Sequence, residues 1–455
     1  MKNWDERDET GKCPSDADWA DVCATVALLP TPRGATHPPP VRLDFSREYW
    51  ADVFSPMVAG YATGTSTPNP DVACNRAIKF GLLRDRCLSL GADAFATGHY
   101  ARLKHAGLLS TARDAPAADG AGASAGELPG KLPELWTAAD LAKDQTYFLS
   151  AVPRAQFRGV LFPVGQLASK QCVRRLASEA QLPAADKRDS VGICFIGKRR
   201  FGDFLTEYVA PTPGRFVSAV DGADLGPHKG LELYTVGQGA RIKHQDLPRV
   251  SPRPLPLPPR GKGATGVRGA AKKATDGGKW FVVGRDAAAG AVLVAPGSMH
   301  PALFCDALQA GPGTWLEHIG PALSLRCAFR VRHRQDLAWC TATPMHEGRD
   351  APHHASSPTV PTAEPWLSVA FEEPMRAVTE GQHLVLYAPG NFDGAGGGGG
   401  AGSGDDAGVG GVSVESACGA TAYRCLGGAT ITARGPTYFE AGRPLPPGTR
   451  SWAVG

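Results

Sequence analysis

The sequence predicts an α/β domain followed by a β-barrel, with low-complexity insertions, and three observations support this fold class. A helical pattern after Asn75 leads to Gly91 and a short buried run at residues 94–96, which is the order of an α/β unit. Short alternating runs separated by turn residues follow Trp280, as in a small closed β-barrel. The 56 glycines and 39 prolines exceed what a wholly compact protein needs.

Composition sets limits on the class of protein. The 455 residues are enough for two or three domains, and a net charge of +4 is no strong sign of a polyanionic partner. The 11 cysteines include no Cys-x-x-Cys pair, so we expect no metal centre and no secreted disulfide framework. No apolar run is long enough to span a bilayer, and the acidic start MKNWDERDETGK is unlike a signal or transit peptide.

The first informative stretch is TPNPDVACNRAIKF, which begins at Thr67. Pro68 and Pro70 predict a rigid, non-helical loop, because proline fixes its own φ and cannot continue a helix. With the helical pattern starting after Asn75, Cys74 would lie at the mouth of the helix. The helix dipole and the unpaired backbone N–H groups favour a thiolate there.

The turn that follows the predicted strand at residues 94–96 is a candidate ligand site. Gly98 and His99 open this turn. In α/β sheets, ligands bind at the carboxyl ends of the strands. We therefore expect Gly98 and His99 at such an end.

Four stretches cannot bury enough apolar surface to offset their ordering entropy, and we expect flexible loops there. The second is Pro-rich and basic, so it could touch RNA, although its composition favours a solvated linker. The four stretches are residues 115–130, 251–278, 343–365 and 394–411.

The segment RDSVGICFIGKRRF contains a second notable cysteine, Cys194. A cationic setting lowers the pKa of a thiol and raises its thiolate fraction. Taken alone, the strand-like run GICFIG nevertheless favours a core cysteine. The basic neighbours are Lys187, Arg188, Lys198, Arg199 and Arg200.

Two polar segments allow two interpretations each. KDQTYFLS, from Lys143, fits either an ordinary helix start with Asp144 near its N-terminus or a contact with phosphates and base edges. In RCAFRVRHRQ, a strand would project Arg330, Arg332 and Arg334 from one face. Three guanidinium groups in a row favour a phosphate backbone opposite, while a solvated barrel face is the alternative.

Six segments in a fixed order resemble the tRNA-specific 2-thiouridylases. They are TPNPDVACNRAIKF, GADAFATGHYARL, KDQTYFLS, LFPVGQL, DSVGICFIGKRRFGDFL and CLGGATI. The matches run from Met1 to the last predicted barrel strand, interrupted by the four insertions. Each segment alone is modest evidence, whereas the ordered set is specific.

The resemblance implies a Rossmann-like ATP pyrophosphatase domain, a small central tRNA-binding domain and a C-terminal β-barrel. The expected nucleotide-binding domain covers residues 1–175 and is incomplete at its N-terminus. The central domain is expected at 176–250, a Pro-rich basic linker at 251–279, and the barrel at 280–435 with disordered insertions near 343–365 and 394–411.

The implied reaction replaces the C2 oxygen of the wobble uridine in tRNA with sulfur. ATP, accompanied by Mg²⁺, adenylates that oxygen and so makes it a leaving group. A persulfide on one cysteine supplies sulfur, and a second cysteine completes the exchange. The implied partners are tRNA and a sulfur-donor protein that carries a persulfide.

Site residues follow from the resemblance by position. Cys74 matches the nucleophile, Cys194 the persulfide carrier and Asp71 the acid/base residue. Met1 and Gly98 match ATP contacts. Asn69 and Pro70, with Asp71, match the loop that meets the target base, and the other residues that match tRNA contacts are His99, Lys143, Asp144, Gln145, Arg332, His333 and Gln382.

The physical setting agrees with these roles. Persulfide transfer needs an ionised, exposed sulfur and a second thiolate that can approach it. A disulfide between Cys74 and Cys194 after turnover needs Cα atoms about 4.4–6.8 Å apart, so the two loops must come together. A proline-stiffened loop can hold Asp71 at a fixed distance from the base, as general acid–base catalysis requires.

The sequence departs from the family at its start. The family begins with a strand and a glycine-rich SGGVDS-type loop whose N–H groups hold the ATP phosphates, and this sequence has no such loop. MKNWDE matches a point after the second strand, so we expect an internal start or a shortened protein. On that interpretation the chain binds ATP poorly, and its N-terminal part folds marginally.

Two other functions stay open from the residues alone. The chain could be a non-enzymatic tRNA-binding protein that has lost the ATP loop. It could also be a pyrophosphatase that amidates or ligates a small substrate, although the paired cysteines and the barrel argue against this. The insertions suggest a mitochondrion or other organelle, with the cytoplasm as the alternative.

Overall fold

The structure is a computed structural model. It describes residues 1–4, 15–29, 39–105, 132–187, 199–242, 278–317, 324–345, 366–392 and 422–452. Cys194 and the run GICFIG lie outside these residues, as do the predicted insertions 115–130 and 394–411. The predicted insertions 251–278 and 343–365 also lie outside, apart from Gly278 and residues 343–345.

The N-terminal part combines helices with a two-stranded parallel sheet, in which β1 (Phe95–Ala96) pairs with β4 (Val160–Leu161). Gly91 adopts φ +97° between the helix and β1, so the predicted helix–turn–strand unit is confirmed. The helices are α1 (Ser15–Leu28), α2 (Ser46–Tyr49), α3 (Ser55–Ala62), α4 (Pro70–Cys74), α5 (Arg84–Ser89), α6 (Thr146–Leu149) and α7 (Lys170–Glu179), with π-helical segments Trp50–Phe54 and Asn75–Leu83.

The helix that carries Cys74 begins earlier than predicted. It starts at Pro70, with Asn69 as its N-cap, and runs through the π-helical segment into α5. The prediction of a non-helical loop up to Asn75 is therefore wrong. Proline suits the first helical position, because its missing N–H would have no partner there, and asparagine is a favoured cap.

The central part forms a five-stranded sheet in the order β6-β5-β9-β8-β7. Its strands are β5 (Gly214–Ser218), β6 (Asp224–His228), β7 (Gly239–Ala240), β8 (Trp280–Asp286) and β9 (Ala291–Pro296), preceded by α8 (Phe201–Leu205). The sequence placed β8 and β9 in the barrel, whereas β9 pairs in parallel with β5 instead. Alternating runs predict strands but not the sheet that they join. The rest of the predicted division stays a prediction.

The C-terminal part contains a closed barrel, as predicted. Six strands pair in the order β10-β13-β12-β11-β14-β15, and β15 closes the ring on β10. β3 and β2 from the N-terminal part extend the sheet beyond β15. The strands are β2 (Ala101–Lys104), β3 (Glu134–Thr137), β10 (Phe304–Trp315), β11 (Leu325–Arg330), β12 (Ala338–Met345), β13 (Trp366–Arg376), β14 (His383–Gly390) and β15 (Ala422–Arg434).

Sequence patterns missed two barrel strands, β10 and β12. The sequence Gly-Pro-Gly, from Gly311, lies within β10, and the pairing register between β10 and β15 shifts there. Residues 343–345 are the last residues of β12, whereas the sequence analysis placed them at the start of an insertion. Sheet pairing on both sides outweighs the weak local preference of these segments.

The N-terminal part and the barrel share one apolar core. Phe80 and Tyr147 pack in the same cluster as Val385 and Tyr387 of β14. This shared core fixes the N-terminal helices against the barrel, so side chains from both can meet in one site. Within the described ranges, no helix is both long and apolar enough to cross a membrane.

Candidate active site

The start of α4 holds Asp71 in a defined position. The Asn69 side chain accepts hydrogen bonds from the backbone N–H groups of Asp71 (3.1 Å) and Val72 (3.4 Å). Pro70 is buried at the first helical position. Burial raises the pKa of Asp71, and nearby Lys79 opposes this rise. A buried carboxyl group with a raised pKa, held in the first turn of a helix, suits an acid/base role.

Five of the predicted site residues line one cavity of about 330 Å³. Asp71 and Asn69 come from the N-terminal part, and the barrel contributes the others. The predicted site residues are Asn69, Asp71, Arg332, His333 and Gln382. Arg334, from the predicted row of arginines, also lines the cavity, and the sequence analysis missed Phe148, Thr235 and Gln335. The structure thus brings together positions more than 300 residues apart in the chain. We name this space the Asp71 cavity.

A second cavity, of about 290 Å³, contains both predicted ATP contacts. Met1 and Gly98 line it together with His99 and Gln145. A Cβ atom added at Gly98 would meet nothing within 4 Å, so the glycine leaves this space open. Lys79, which the sequence analysis did not single out, adds a cation to the wall. We name this space the Gly98 cavity.

Asn75 connects the two cavities and was also missed. Its amide nitrogen donates to the Asp71 carbonyl oxygen (3.0 Å), so its oxygen faces the Nε2 of His99 (3.2 Å). Nε2 must therefore carry the proton, and Nδ1 accepts from the Thr97 hydroxyl group (2.8 Å). Burial, with help from Lys79, lowers the pKa of His99 to about 3, which keeps the ring neutral. Asn75 directly follows Cys74 in the chain, a position that a search for reactive groups passes over.

Cys74 does not lie at a helix mouth. It is the fifth residue of α4 and is only 3% exposed. It packs in an apolar cluster with Met57, Ile78 and Phe204. The predicted exposed thiol is therefore wrong for this conformation, because the helix begins at Pro70 and turns Cys74 inward.

Asp144 has an internal role. Its carboxylate accepts from the Ala138 N–H (2.9 Å), the Thr146 hydroxyl (2.7 Å) and the Arg330 guanidinium (2.7 Å). The two charged side chains are 0% and 5% exposed. Contact between the Asp144 carboxylate and tRNA is therefore incompatible with this conformation, and the predicted row of three free arginines is wrong at Arg330.

The strand that should carry the other arginines ends at Arg330, and residues 331–334 form a turn. Arg332 donates to the carbonyl oxygens of Val236 (2.9 Å) and Ala377 (2.8 Å), and burial lowers its pKa. His333 donates from Nε2 to the Asp144 carbonyl oxygen (3.0 Å). Both side chains face the Asp71 cavity from the turn instead of from a strand face.

The remaining predicted tRNA contacts lie in different places. Lys143 is exposed. Gln145 accepts from the Tyr100 N–H (2.9 Å) and lines the Gly98 cavity. Gln382 donates to the Thr67 carbonyl oxygen (2.7 Å), which joins the barrel to the segment before Asn69.

Cys194 cannot be placed, since it lies outside the described residues. Two of its cationic neighbours are engaged with carboxylates. Lys187 pairs with Asp18 (2.5 Å) and Asp21 (2.7 Å). Arg199 pairs with Glu207 (3.0 Å), whereas Arg200 is exposed. The cationic setting of Cys194 itself stays a prediction.

Three family models match consecutive parts of the chain. The tRNA methyl transferase HUP domain matches residues 1–198. The tRNA methyl transferase PRC-barrel domain matches residues 202–249, and the Aminomethyltransferase beta-barrel domain matches residues 305–398. Their order agrees with the three structural parts.

Similar curated proteins carry one name. The chain is 34% identical over 446 residues to the tRNA-specific 2-thiouridylase MnmA of Protochlamydia amoebophila, across 98% of this chain and 89% of that protein. The MnmA of Shouchella clausii is 34% identical over 396 residues, across 87% of both chains. The MnmA of Streptococcus mutans is 35% identical over 387 residues, across 85% of this chain and 84% of that one. The chain belongs to the tRNA-specific 2-thiouridylase family.

Proposed function

We propose that the chain catalyses ATP-dependent transfer of persulfide sulfur to C2 of the wobble uridine of tRNA. The observation that carries this proposal is the Asp71 cavity. In a chain that belongs to this family, the cavity brings together five predicted site residues from the N-terminal part and the barrel. Asp71 provides an acid/base group there, and Arg332 provides a cation. A uridine turned out of the anticodon loop fits such a space between protein groups.

The Gly98 cavity is the proposed ATP site. Leu83 and Phe95 provide apolar walls, and the bare Cα of Gly98 gives room for a flat base. Lys79 provides a cation for a phosphate group. When bound, ATP activates the uridine oxygen as a leaving group. Among the described residues, no cluster of three or more His, Cys, Asp or Glu side chains could hold a metal ion, so we propose that Mg²⁺ enters with the phosphates.

The proposed sulfur transfer uses two cysteines. The outer sulfur of a persulfide on Cys194 bonds to C2, and AMP leaves with the former C2 oxygen. The Cys74 thiolate then attacks the inner sulfur on Cys194, which releases the thiolated uridine and leaves a Cys74–Cys194 disulfide. An external thiol reductant restores both cysteines, and a donor protein renews the persulfide.

The buried position of Cys74 adds a requirement. At 3% exposure its sulfur cannot reach a second cysteine, so the start of α4 or its apolar covering must move during the cycle. Asn75 links this helix to the Gly98 cavity through His99, and we therefore propose that filling that cavity triggers the movement.

The proposal also includes the binding partners and the cellular location. Lys143, which is exposed, and Arg332, which lines the Asp71 cavity, are proposed tRNA contacts. Asn69, Pro70, His99, Gln145, His333 and Gln382 are proposed to shape the site around the base. A persulfide-carrying donor protein is part of the proposal, as is an organellar location.

The test compares cysteine variants of the full chain. Cys74→Ser and Cys194→Ser should each reduce 2-thiouridine formation to the background measured without ATP, as read by mass spectrometry of tRNA nucleosides. Cys172→Ser is the matched control, since Cys172 lies half-buried on α7, outside both cavities. Normal thiolation by Cys194→Ser would disprove the assignment.

The same assay separates the alternative function. A non-enzymatic tRNA-binding protein would bind tRNA in a salt-dependent way and form no 2-thiouridine with any donor. The relatives all carry an enzyme's name, which favours the catalytic function.

A further inference from the structure

The segment just before Asn69 is held by residues from outside the N-terminal part. Arg285, on β8 of the central sheet, donates to the carbonyl oxygens of Thr65 (2.5 Å) and Ser66 (3.5 Å) and to the Thr67 hydroxyl group (3.2 Å). One guanidinium therefore contacts three consecutive residues. Such a planar fork fixes direction as well as distance.

The barrel holds the same segment from the other side. The Thr67 N–H donates to the Glu380 carbonyl oxygen (2.9 Å), and the Gln382 side chain donates to the Thr67 carbonyl oxygen (2.7 Å). Gly381 adopts φ +84°, and a Cβ atom there would lie 2.6 Å from the Thr67 nitrogen. Only glycine allows the barrel turn to come this close.

From this double attachment we propose that Arg285 is a positioning residue, which sets the placement of Asn69 and Asp71 in the Asp71 cavity. Pro68 and Pro70 stiffen the three-residue link between Thr67 and Asp71, so a shift at Thr67 passes to the carboxylate. The site is then complete only when the central sheet and the barrel both dock on the N-terminal part. This inference rests on the proposed function.

A direct contact between Arg285 and RNA is the less favoured role. The guanidinium is half-buried, and burial lowers its pKa. The carboxylates of Glu380 and Glu232 lie close enough to counter that effect, so the charge already has negative partners inside the protein. Arg285 also lines neither the Asp71 cavity nor the Gly98 cavity, whereas Arg332, a proposed tRNA contact, lines the Asp71 cavity.

The test uses Arg285→Met, which keeps the apolar stem, and Arg285→Lys, which keeps the charge without the fork. Arg215→Met is the control, because Arg215 lies in the same sheet and pairs with Asp224 on the surface. We expect kcat for thiolation to fall at least about tenfold in Arg285→Met, since misplacing a reacting group by an ångström costs up to about a hundredfold. KM for tRNA should stay within about twofold, because no phosphate contact is lost.

A second readout does not depend on catalysis. Hydrogen exchange at the Thr67 amide, which bonds to Glu380, should quicken in Arg285→Met and stay unchanged in Arg215→Met. Gly381→Ala should produce the same pattern from the barrel side. A raised KM with normal kcat would overturn the inference in favour of RNA contact, and unchanged exchange would overturn the positioning role. Faster exchange in Arg285→Met, combined with no 2-thiouridine formation by the wild-type chain, would instead count against the proposed function alone.

Discussion

Replacing Asp144 with asparagine tests how the N-terminal part is joined to the barrel. In the native protein the Asp144 carboxylate lies 2.7 Å from the Arg330 guanidinium, with the two side chains 0% and 5% exposed. The change keeps the shape of the side chain and removes its charge. Arg330 is then left as a buried cation beside the Tyr387 ring.

The expected loss follows from this burial. Removing one partner of a buried ion pair costs about 3–5 kcal/mol, because the other charge stays out of water without compensation. A surface pair costs about 0–1 kcal/mol. Arg326 and Glu372 form such a pair on the barrel, with side chains 60% and 41% exposed, and Glu372→Gln is therefore the matched control.

Urea titration followed by circular dichroism measures the losses, together with the double variant Asp144→Asn/Arg330→Met. Methionine removes the unpaired buried charge. The double variant should therefore lose about 1–3 kcal/mol less free energy of unfolding than the sum of the losses in the two single variants. A loss of less than about 1 kcal/mol in Asp144→Asn, equal to that of the surface control, would refute the reasoning.

Two further predictions concern the Gly98 cavity. Gly98→Val should raise the ATP concentration needed for half-maximal thiolation at least about fivefold without lowering Tm, because the added atoms enter open space; an unchanged ATP requirement would move the ATP site elsewhere. Burial lowers the pKa of His99 from its ordinary value of 6.5 to about 3 in the folded chain. The neutral ring therefore contributes its full stabilisation above pH 6.5, and this contribution is lost as the pH falls toward 3. Between pH 7 and pH 5 the wild-type chain should therefore lose about 1–2 kcal/mol more stability than His99→Gln, measured by urea titration at each pH, and parallel curves would contradict a buried neutral ring.

The sequence predicted the parts of the fold that depend on local pattern. The helix, Gly91 and β1 follow from periodicity and from the φ value that glycine permits. The barrel strands with alternating residues were predicted too. β10 and β12 were missed because their pairing partners, rather than their own residues, make them strands.

The candidate site was predictable as a set of residues but not as a geometry. Asp71, Arg332 and Gln382 were chosen by position and do share one cavity. The burial of Cys74, by contrast, depends on where the helix begins, and proline at Pro70 was taken as a breaker instead of a first turn. Asn75 and Arg285 were missed because their importance lies in contacts with residues that are distant in the chain, the His99 ring for Asn75 and the Thr65 carbonyl oxygen for Arg285, which no local pattern encodes.

The most direct test of the proposed chemistry is peptide mapping of the full chain after a single turnover with persulfide, ATP and tRNA. We expect a Cys74–Cys194 disulfide in an amount equal to the 2-thiouridine formed, and none when ATP or tRNA is left out. Formation of 2-thiouridine while Cys74 stays a free thiol would contradict it.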